Sequence, residues 1–230
     1  MNRHISEQYD EELDSVRSLL LEMGGLVEQQ LQKACQALYS HDSELADVVR
    51  VGDARVNELE VDIDDLCVHI IARRQPAATD LRTLISILKA STDLERVGDE
   101  AERIAKMAQK VADLELPANQ YGEIREMAGN VQTMLADALD AFARLSPETA
   151  VRVIDADEVV DIAYKAILAD MGAMMKAHPD QVERALTVLW VARSLERCGD
   201  HAKNLSEYIV YLVKGQDVRH ADAAEVVAER

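Results

Sequence analysis

One eight-residue segment occurs twice in this chain and limits what the chain can fold into. Residues 94–101 read LERVGDEA and residues 195–202 read LERCGDHA, so six of the eight positions are identical. The copies begin 101 residues apart in a chain of 230 residues. Self-similarity at about half the chain length is typical of a duplicated structural unit. The sequence therefore predicts two related halves, each containing one copy.

Six long amphipathic segments indicate the fold class. Apolar residues recur every three or four positions in each segment, and none alternates as a strand would. Three such helices in up-and-down order bury one another's apolar faces. We predict an all-α protein of two pseudo-symmetric three-helix bundles, with helices at about residues 6–39, 44–73, 80–114, 122–145, 147–177 and 180–214. The predicted division is an N-terminal bundle (1–117), a C-terminal bundle (118–215) and a charged, frayed tail (216–230).

Residues with strong positional preferences mark the predicted helix ends. Thr79 is the expected N-cap of the third helix, and Ser146 is the expected N-cap of the fifth. Asp180 and Glu183 have the spacing of a capping box at the start of the sixth helix. Gly215 is placed where a helix ends with a left-handed residue. The junction between the two halves is expected after the third helix, near Pro117.

The charge and composition narrow the classes of partner. The formal net charge is −18, which repels phosphate backbones, so we expect no nucleic-acid binding. The same field favours cationic partners, including metal ions. Only 3% of the residues are aromatic, and a core of small and aliphatic residues suits helix-on-helix packing.

Cysteine usage and hydropathy indicate the compartment. Cys35, Cys67 and Cys198 are far apart in the sequence, and we interpret them as reduced, buried core residues. Trp190 is interpreted as a core residue too. The first residues lack the apolar run of a signal peptide, and no segment approaches the ~18 apolar residues of a membrane span. We therefore expect a soluble, cytoplasmic protein.

Rows of oxygen-bearing side chains recur in both halves. In the third predicted helix, Glu95, Asp99 and Glu102 share a face that is distinct from the main apolar face. The other rows are Glu196 and Asp200 in the sixth helix, Asp53, Asn57, Glu60 and Asp64 in the second, and Asp157 and Asp161 in the fifth. If neighbouring helices lie side by side, each half gathers oxygen ligands that suit Mg²⁺, Ca²⁺, Mn²⁺ or iron. We expect these rows on an outer face or in a shallow groove.

A solvated helix face is the simpler interpretation of such rows, because 30% of the residues are charged. Gly98 and Gly199 favour a different interpretation, since a glycine inside a helix costs up to ~1 kcal/mol relative to alanine. Their repetition predicts close approach by another helix or by a ligand. Arg96 and Arg197 are candidates for ion pairs with the other half, or for ordinary surface pairs. His201 is the histidine beside these rows and is a candidate metal contact.

No catalytic constellation accompanies the acidic rows. The sequence lacks an HExxH motif, a Walker A loop, GxGxxG, GxSxG and the Glu-x-x-His unit of di-iron bundles. We therefore predict a protein that is not an enzyme. Two alternatives stay open: a structural bundle whose acids are merely solvated, and a hydrolase or redox enzyme that uses a carboxylate-bridged metal pair.

Several segments together resemble the PhoU family of bacterial phosphate-uptake regulators. They are DARVNELE at 53–60, IIARRQP at 70–76, LERVGD at 94–99, LWVARSLERCGDHA at 189–202 and YLVKG at 211–215. The resemblance covers nearly the whole chain. It implies two three-helix bundles whose Glu/Asp-x-x-x-Asp motifs hold multinuclear metal sites, with iron or zinc as the metal and Mn or Mg as further possibilities.

The resemblance also implies specific ligands. These are Glu95, Asp99 and Glu102 with Asp53 and Asn57 in one half, and Glu196 and Asp200 with Asp157 and Asp161 in the other. Lys203 stands where the first half has Glu102, so the two sites are not expected to be equivalent.

A regulatory role follows from the same resemblance. The family implies negative control of phosphate uptake and of the phosphate-starvation response. The implied partners are the ATPase subunit of a phosphate ABC transporter and a sensor histidine kinase, met at the cytoplasmic face of the membrane. A homodimer is the expected assembly.

Overall fold

A computed structural model describes residues 2–112 and 122–228, and these ranges form helices and short connections without a β-strand. Proline and helix-capping residues separate the helices, while apolar residues three and four positions apart give each long helix a buried face. The helices are α1 (Asn2–Ser40), α2 (Ser43–Arg74), α3 (Ala78–Ala112), α4 (Gly122–Arg144), α5 (Pro147–Ala177), α6 (Val182–Lys214) and α7 (Ala223–Ala228). The predicted all-α class is confirmed. The junction expected near Pro117 lies outside the described residues.

The helices pack as two groups of three that share one core. Helices α1, α2 and α3 contact one another, and α4, α5 and α6 do the same. Helix α3 also packs along α6, and α1 contacts α4, so the two halves meet through these pairs. The buried apolar residues of both halves form one continuous cluster. The predicted pair of pseudo-symmetric three-helix bundles is confirmed, with α3 and α6 at its centre.

Of the four helix ends predicted from capping residues, two are confirmed and two are wrong. Ser146 accepts a hydrogen bond from the Thr149 amide at 3.3 Å, and Gly215 adopts a φ of 74° beyond α6. Helix α3 begins before Thr79, because the Asp80 amide already donates to the Ala77 carbonyl at 3.1 Å.

The start of α6 also differs from the prediction, because a short 3₁₀ turn precedes the helix. Asp180 lies inside a 3₁₀ turn, Pro179–Gln181, in which the Gln181 amide donates to the His178 carbonyl at 2.9 Å. This tight turn places Asp180 ahead of the helix, so α6 begins at Val182 without a side-chain cap.

The C-terminal segment is ordered against the bundle rather than frayed. Val218 and Ala223 are buried, and α7 contacts α5 and α6. Lys214 Nζ donates to the Val227 carbonyl at 2.8 Å. The expectation of a frayed tail is wrong here, because the apolar residues of this segment cover an apolar face of the bundle.

The cysteines are buried and free, as predicted, whereas Trp190 is 62% exposed and is not a core residue. Its neighbours Val188, Val191 and Ala192 occupy the buried face of α6 and leave the indole on the opposite side. Among the described helices, none has the length and apolar composition that crossing a bilayer requires.

Candidate metal-binding sites

A glycine lets α2 lie directly on α3 in the first half. A Cβ added at Gly98 would lie 3.2 Å from Asp53 Oδ1 and 3.4 Å from Val56 Cγ1. The predicted close approach at Gly98 is therefore confirmed, and the neighbour is α2. At this contact the acidic rows of α2 and α3 lie next to each other, since the charges of Asp99 and Glu102 act on Asp53.

The second half repeats this contact. A Cβ added at Gly199 would lie 3.4 Å from Val160 Cγ1 and 3.8 Å from Asp157 Oδ1. Asp157 and Val160 of α5 thus take the places that Asp53 and Val56 take in α2, an offset of 104 residues. The duplication seen in the sequence therefore extends to this helix contact, which α5 and α6 repeat.

Electrostatics show which carboxylates the α2–α3 contact gathers. Burial raises the pKa of Asp53, and the charges of Asp99 and Glu102 raise it further. Burial likewise raises the pKa of Glu95, with Asp99 as the strongest neighbouring charge and Glu60 and Asp53 adding to it. These acids are therefore close enough to repel one another across α2 and α3. We call Asp53, Glu60, Glu95, Asp99 and Glu102 the first carboxylate cluster.

The acids of the second half also repel one another. We call Asp157, Asp161, Glu196 and Asp200 the second carboxylate cluster. Burial raises the pKa of Glu196, and the charges of Asp200, Asp161 and Asp157 raise it further. Burial also raises the pKa of Asp200, again with Asp157 and Asp161 adding repulsion. The structure thus brings together the four acids that the sequence singled out in this half.

Buried oxygen atoms without donors lie in both clusters. Asp53 Oδ1, Glu95 Oε2 and Glu196 Oε2 have no hydrogen-bond partner among the described residues. Arg96 Nε lies 3.3 Å from Glu95 Oε2 as an ion pair, but its direction is not that of a hydrogen bond. An unsatisfied buried acceptor costs about 1–3 kcal/mol, and a bound cation would remove that cost. The donor set therefore fits a cation that prefers oxygen ligands.

The side chains are not arranged around a cation as they stand. Among the described residues, no three His, Cys, Asp or Glu side chains converge closely enough to hold a metal ion. Ion pairs hold some of the acids apart, since Lys106 Nζ lies 2.6 Å from Glu102 Oε2 and Arg96 lies 3.7 Å from Asp99 Oδ2. Cation binding would require these side chains to rotate toward a common point.

Asn57 and Asp161 also make polar contacts with a neighbour on their own helix. Asn57 Nδ2 donates to Asp53 Oδ2 at 3.3 Å, so Asn57 orients the carboxylate that faces Gly98. Asp161 lies 3.4 Å from Lys165 on the same helix. Gln30 of α1 was absent from the sequence prediction, yet its side-chain oxygen would lie 3.4 Å from a Cβ at Gly98 and lacks a described partner. Its position on a third helix gave no signal in the sequence.

The two clusters differ at more than one equivalent position: Asp161 stands where the first half has Asn57, and Lys203 stands where it has Glu102. Lys203 Nζ donates to Asp157 Oδ2 at 2.7 Å, so the second cluster already contains a tethered cation. The equivalent residue of α3 is Glu102, which adds negative charge near Asp53. The expected inequivalence of the two sites therefore has a structural basis: Lys203 pairs with Asp157 itself, whereas Lys106 of the first half pairs with Glu102.

The other candidate residues of the sequence analysis, Arg96, Arg197 and His201, each have a carboxylate partner. Arg197 lies 2.5 Å from Glu100 Oε1 across the α3–α6 interface, so its predicted pairing with the other half is confirmed. Arg96 pairs within its own helix instead. His201 Nδ1 lies 2.6 Å from Asp93 Oδ1 of the other half, so its direct partner is Asp93.

Comparison with known proteins agrees with this architecture. The PhoU domain model matches residues 20–108 and 124–209. A phosphate-specific transport system accessory protein PhoU homolog from Pseudomonas putida is 47% identical over 229 residues, which are 100% of this chain and 90% of that protein. The phosphate-specific transport system accessory protein PhoU of Escherichia coli K12 is 42% identical, over 98% of this chain and 93% of that protein.

Solved structures show the same likeness in three dimensions. The crystal structure of PhoU from Pseudomonas aeruginosa matches with a TM-score of 0.88 and 46% identity, over 90% of this chain and 100% of that one. The phosphate transport system regulatory protein PhoU from Streptococcus pneumoniae matches with a TM-score of 0.84 and 32% identity, over 91% and 99%. The sequence match, the repeated half and the shared fold lead to one conclusion: this chain belongs to the PhoU family.

Proposed function

We propose that this chain is a regulatory accessory protein of a phosphate-specific transport system and not an enzyme. It acts as a negative regulator of phosphate uptake and of the phosphate-starvation response. The observation that carries this proposal is similarity along nearly the whole chain to proteins named as accessory proteins of that system. The sequence motifs of the PhoU family and the lack of a catalytic motif support it.

The proposed partners are the ATPase subunit of a phosphate ABC transporter and a sensor histidine kinase. The protein would meet both at the cytoplasmic face of the membrane, as a peripheral adaptor. A surface of net charge −18 suits protein partners with basic surfaces better than it suits nucleic acid. A homodimer is the assembly proposed for the free protein.

Deletion of the gene tests the regulatory role. We expect the deletion strain to produce alkaline phosphatase in medium with ample phosphate, and a plasmid copy of the gene to restore repression. Co-purification of the transport ATPase with the full chain tests the partner. A deletion that leaves phosphatase and phosphate uptake unchanged would contradict the proposal.

We also propose that the two carboxylate clusters bind iron or zinc, with Mn or Mg as alternatives. Asp53, Glu95 and Asp99 would supply the oxygen ligands of the first cluster, with Asn57 and Glu102 beside them. Asp157, Asp161, Glu196 and Asp200 would do so in the second. A bound cation would offset the mutual repulsion that raises the pKa of Asp53 and Glu95. The buried, unpartnered oxygens support this proposal.

Metal analysis tests the clusters separately from the regulatory role. Protein prepared without chelator or affinity tag is expected to retain metal, and Asp99→Asn is expected to lower its content. Asp140→Asn is the matched control, because Asp140 is on α4 and pairs with Arg144 at 2.6 Å. A metal-free wild-type protein that also shows no thermal shift with Fe, Zn or Mn would contradict metal binding.

A metal-free adaptor is the second candidate. It is favoured by one observation: no three acidic or histidine side chains of the described residues converge on a common point. In that case the deletion phenotype would persist while Asp99→Asn would complement fully.

A further inference from the structure

An open apolar groove runs between α4 and α5, on a face that the proposed metal sites do not use. Its volume is about 280 Å³. Val159 and Ile162 of α5 line it and are 54% and 60% exposed. A second depression of about 160 Å³ continues it past Asn130 and Val159. From Val153 to Ile167 the two together extend over about 21 Å of α5, at 1.5 Å per residue.

The equivalent surface of the first half has a different chemical character. The contacts at Gly98 and Gly199 align α2 with α5 at an offset of 104 residues, so Arg55 occupies the place of Val159 and Glu58 that of Ile162. Arg55 pairs with Glu58 at 3.2 Å and with Glu22 of α1 at 3.3 Å. The equivalent surface between α1 and α2 thus carries ion pairs where the second half carries apolar side chains.

Two further replacements open the groove in the second half. Leu59, which is fully buried between helices, is replaced by Ala163, and Asp62 is replaced by Ala166. Removing a leucine side chain leaves space between two packed helices. The four differences together turn a charged, filled surface into an apolar, open one.

Exposed apolar side chains that line one continuous groove indicate an interaction site. Soluble proteins seldom leave a contiguous apolar surface open unless something binds there. Charged residues make up 30% of this chain. The exposed apolar side chains of Val159 and Ile162 are therefore much less polar than a typical part of its surface. A helix laid in a groove between two helices is a common way to cover such a surface.

The charge around the groove identifies the occupant. Glu123, Glu126 and Asp137 of α4 line the groove and its continuation, against one basic residue, Arg152. A second copy of this chain would bring another net charge of −18 to an acidic rim, which opposes self-association there. A segment with basic residues beside its apolar residues would be attracted instead.

We propose that the α4–α5 groove binds an amphipathic helix of a protein partner, with apolar anchors three or four residues apart and Lys or Arg beside them. The inference rests on the adaptor role proposed above and adds a surface to it. About four turns of helix match the 21 Å length of the groove. The apolar anchors would cover Val159, Ile162 and Ala163, and the basic residues would face Glu123 and Glu126.

Peptide binding to the full chain tests the groove. The probe is a fluorescent helix of about 18 residues, long enough to span the groove, with Leu at every third or fourth position and Lys between them. A second probe, which serves as the control, carries Glu in place of Lys. We expect fluorescence anisotropy to show binding of the basic probe, and at least about tenfold weaker binding of the acidic one.

Variants that copy the first half give the decisive comparison. Val159→Arg with Ile162→Glu recreates the Arg55–Glu58 pair and leaves the net charge unchanged, so general attraction to the protein is preserved. Ala163→Leu independently fills the groove. Both variants are expected to weaken binding at least about tenfold. Val51→Arg is the control, because Val51 is 78% exposed on α2, and it should bind as the wild type does.

Equal binding of the basic probe by wild type and by both groove variants would overturn the proposal. So would sedimentation data in which the double variant alone loses a wild-type dimer, because the groove would then be a self-association surface. Circular dichroism melts check that the variants fold. If gene deletion relieves repression while the groove variants complement it fully, the adaptor role stands and the groove assignment fails. If deletion has no effect, the adaptor role itself fails.

Discussion

At the scale of single residues, one difference between the two carboxylate clusters is the reversal of charge between Glu102 and Lys203. Lys203 donates to Asp157 in the second cluster, whereas Glu102 adds a negative charge to the first. An ammonium group already beside a carboxylate competes with a metal ion for it, and each carboxylate ligand raises the affinity of an oxygen site. The first cluster should therefore bind a cation more tightly.

Reciprocal charge changes test this ranking. Lys203→Glu is expected to strengthen Mn²⁺ or Zn²⁺ binding at the second cluster, and Glu102→Lys to weaken binding at the first, each by about tenfold or more. Isothermal titration of metal-stripped protein measures both. Lys176→Glu is the control on α5, since Lys176 is exposed in the last turn of that helix. Unchanged affinities in both variants would contradict the assigned ranking.

The same acids make stability depend on pH. Burial and neighbouring charges raise the pKa of Asp53, Glu60 and Glu95 in the folded protein. The native state then holds protons at pH values where the unfolded chain has released them. The free energy of unfolding of the metal-free protein should therefore fall as pH rises above the ordinary carboxyl range and through these raised pKa values.

Removing one charge should reduce the loss of unfolding free energy as the pH rises. Asp99→Asn eliminates a charge that raises the pKa of Asp53, Glu60 and Glu95. We expect it to increase the free energy of unfolding at pH 7 by roughly 0.2–0.5 kcal/mol, the usual cost of a like-charge pair one turn apart. Urea unfolding from pH 4.5 to 7.5 in chelator measures it. Asp155→Asn, at an exposed position of α5, should leave the pH profile unchanged.

At the scale of elements, the end of the chain depends on the bundle for its structure. Helix α7 has only six residues, too few to be stable alone in water. It is held by Val218, Ala223 and the hydrogen bond from Lys214 to Val227. Its apolar residues are too few to give a periodic pattern, which is why the sequence alone indicated a frayed tail.

A charge in this small contact should release the segment. Val218→Asp places an unpaired carboxylate at a site that is 4% exposed, and keeping that charge buried would cost several kcal/mol. We expect trypsin to cleave after Arg219 much faster, while the melting of the main bundle changes little, because local opening is enough. Val213→Asp, at a 41% exposed site of α6, is the control. Equal cleavage rates in the two variants would contradict the docked tail.

At the scale of the whole molecule, the two halves are joined through a polar contact as well as an apolar core. Glu100 is 2% exposed; its carboxylate accepts a hydrogen bond from Arg103 of its own helix and forms an ion pair with Arg197 of the other half. His201 and Asn204 reach Asp93 across the same interface. A buried carboxylate fixes the relative position of α3 and α6, because it is costly unless both arginines reach it.

Breaking this contact should loosen the halves. Arg197→Met removes one of the two partners of Glu100, and we expect a loss of about 1.5–3 kcal/mol in the free energy of unfolding. The double variant Arg197→Met with Glu100→Met should recover much of that loss, since no buried charge is left unpaired. Guanidinium unfolding measures both. A single variant as stable as the wild type would show that the pair contributes nothing.

The sequence by itself determined the six long helices, the duplication and the membership of each acidic row, because helical periodicity and capping are local properties. Tertiary structure alone decided which rows face each other. It also placed Lys203 on Asp157, exposed Trp190, docked α7 and opened the α4–α5 groove. The physical reason is that periodicity shows which side chains share a helix face, whereas the packing of neighbouring helices decides what that face meets.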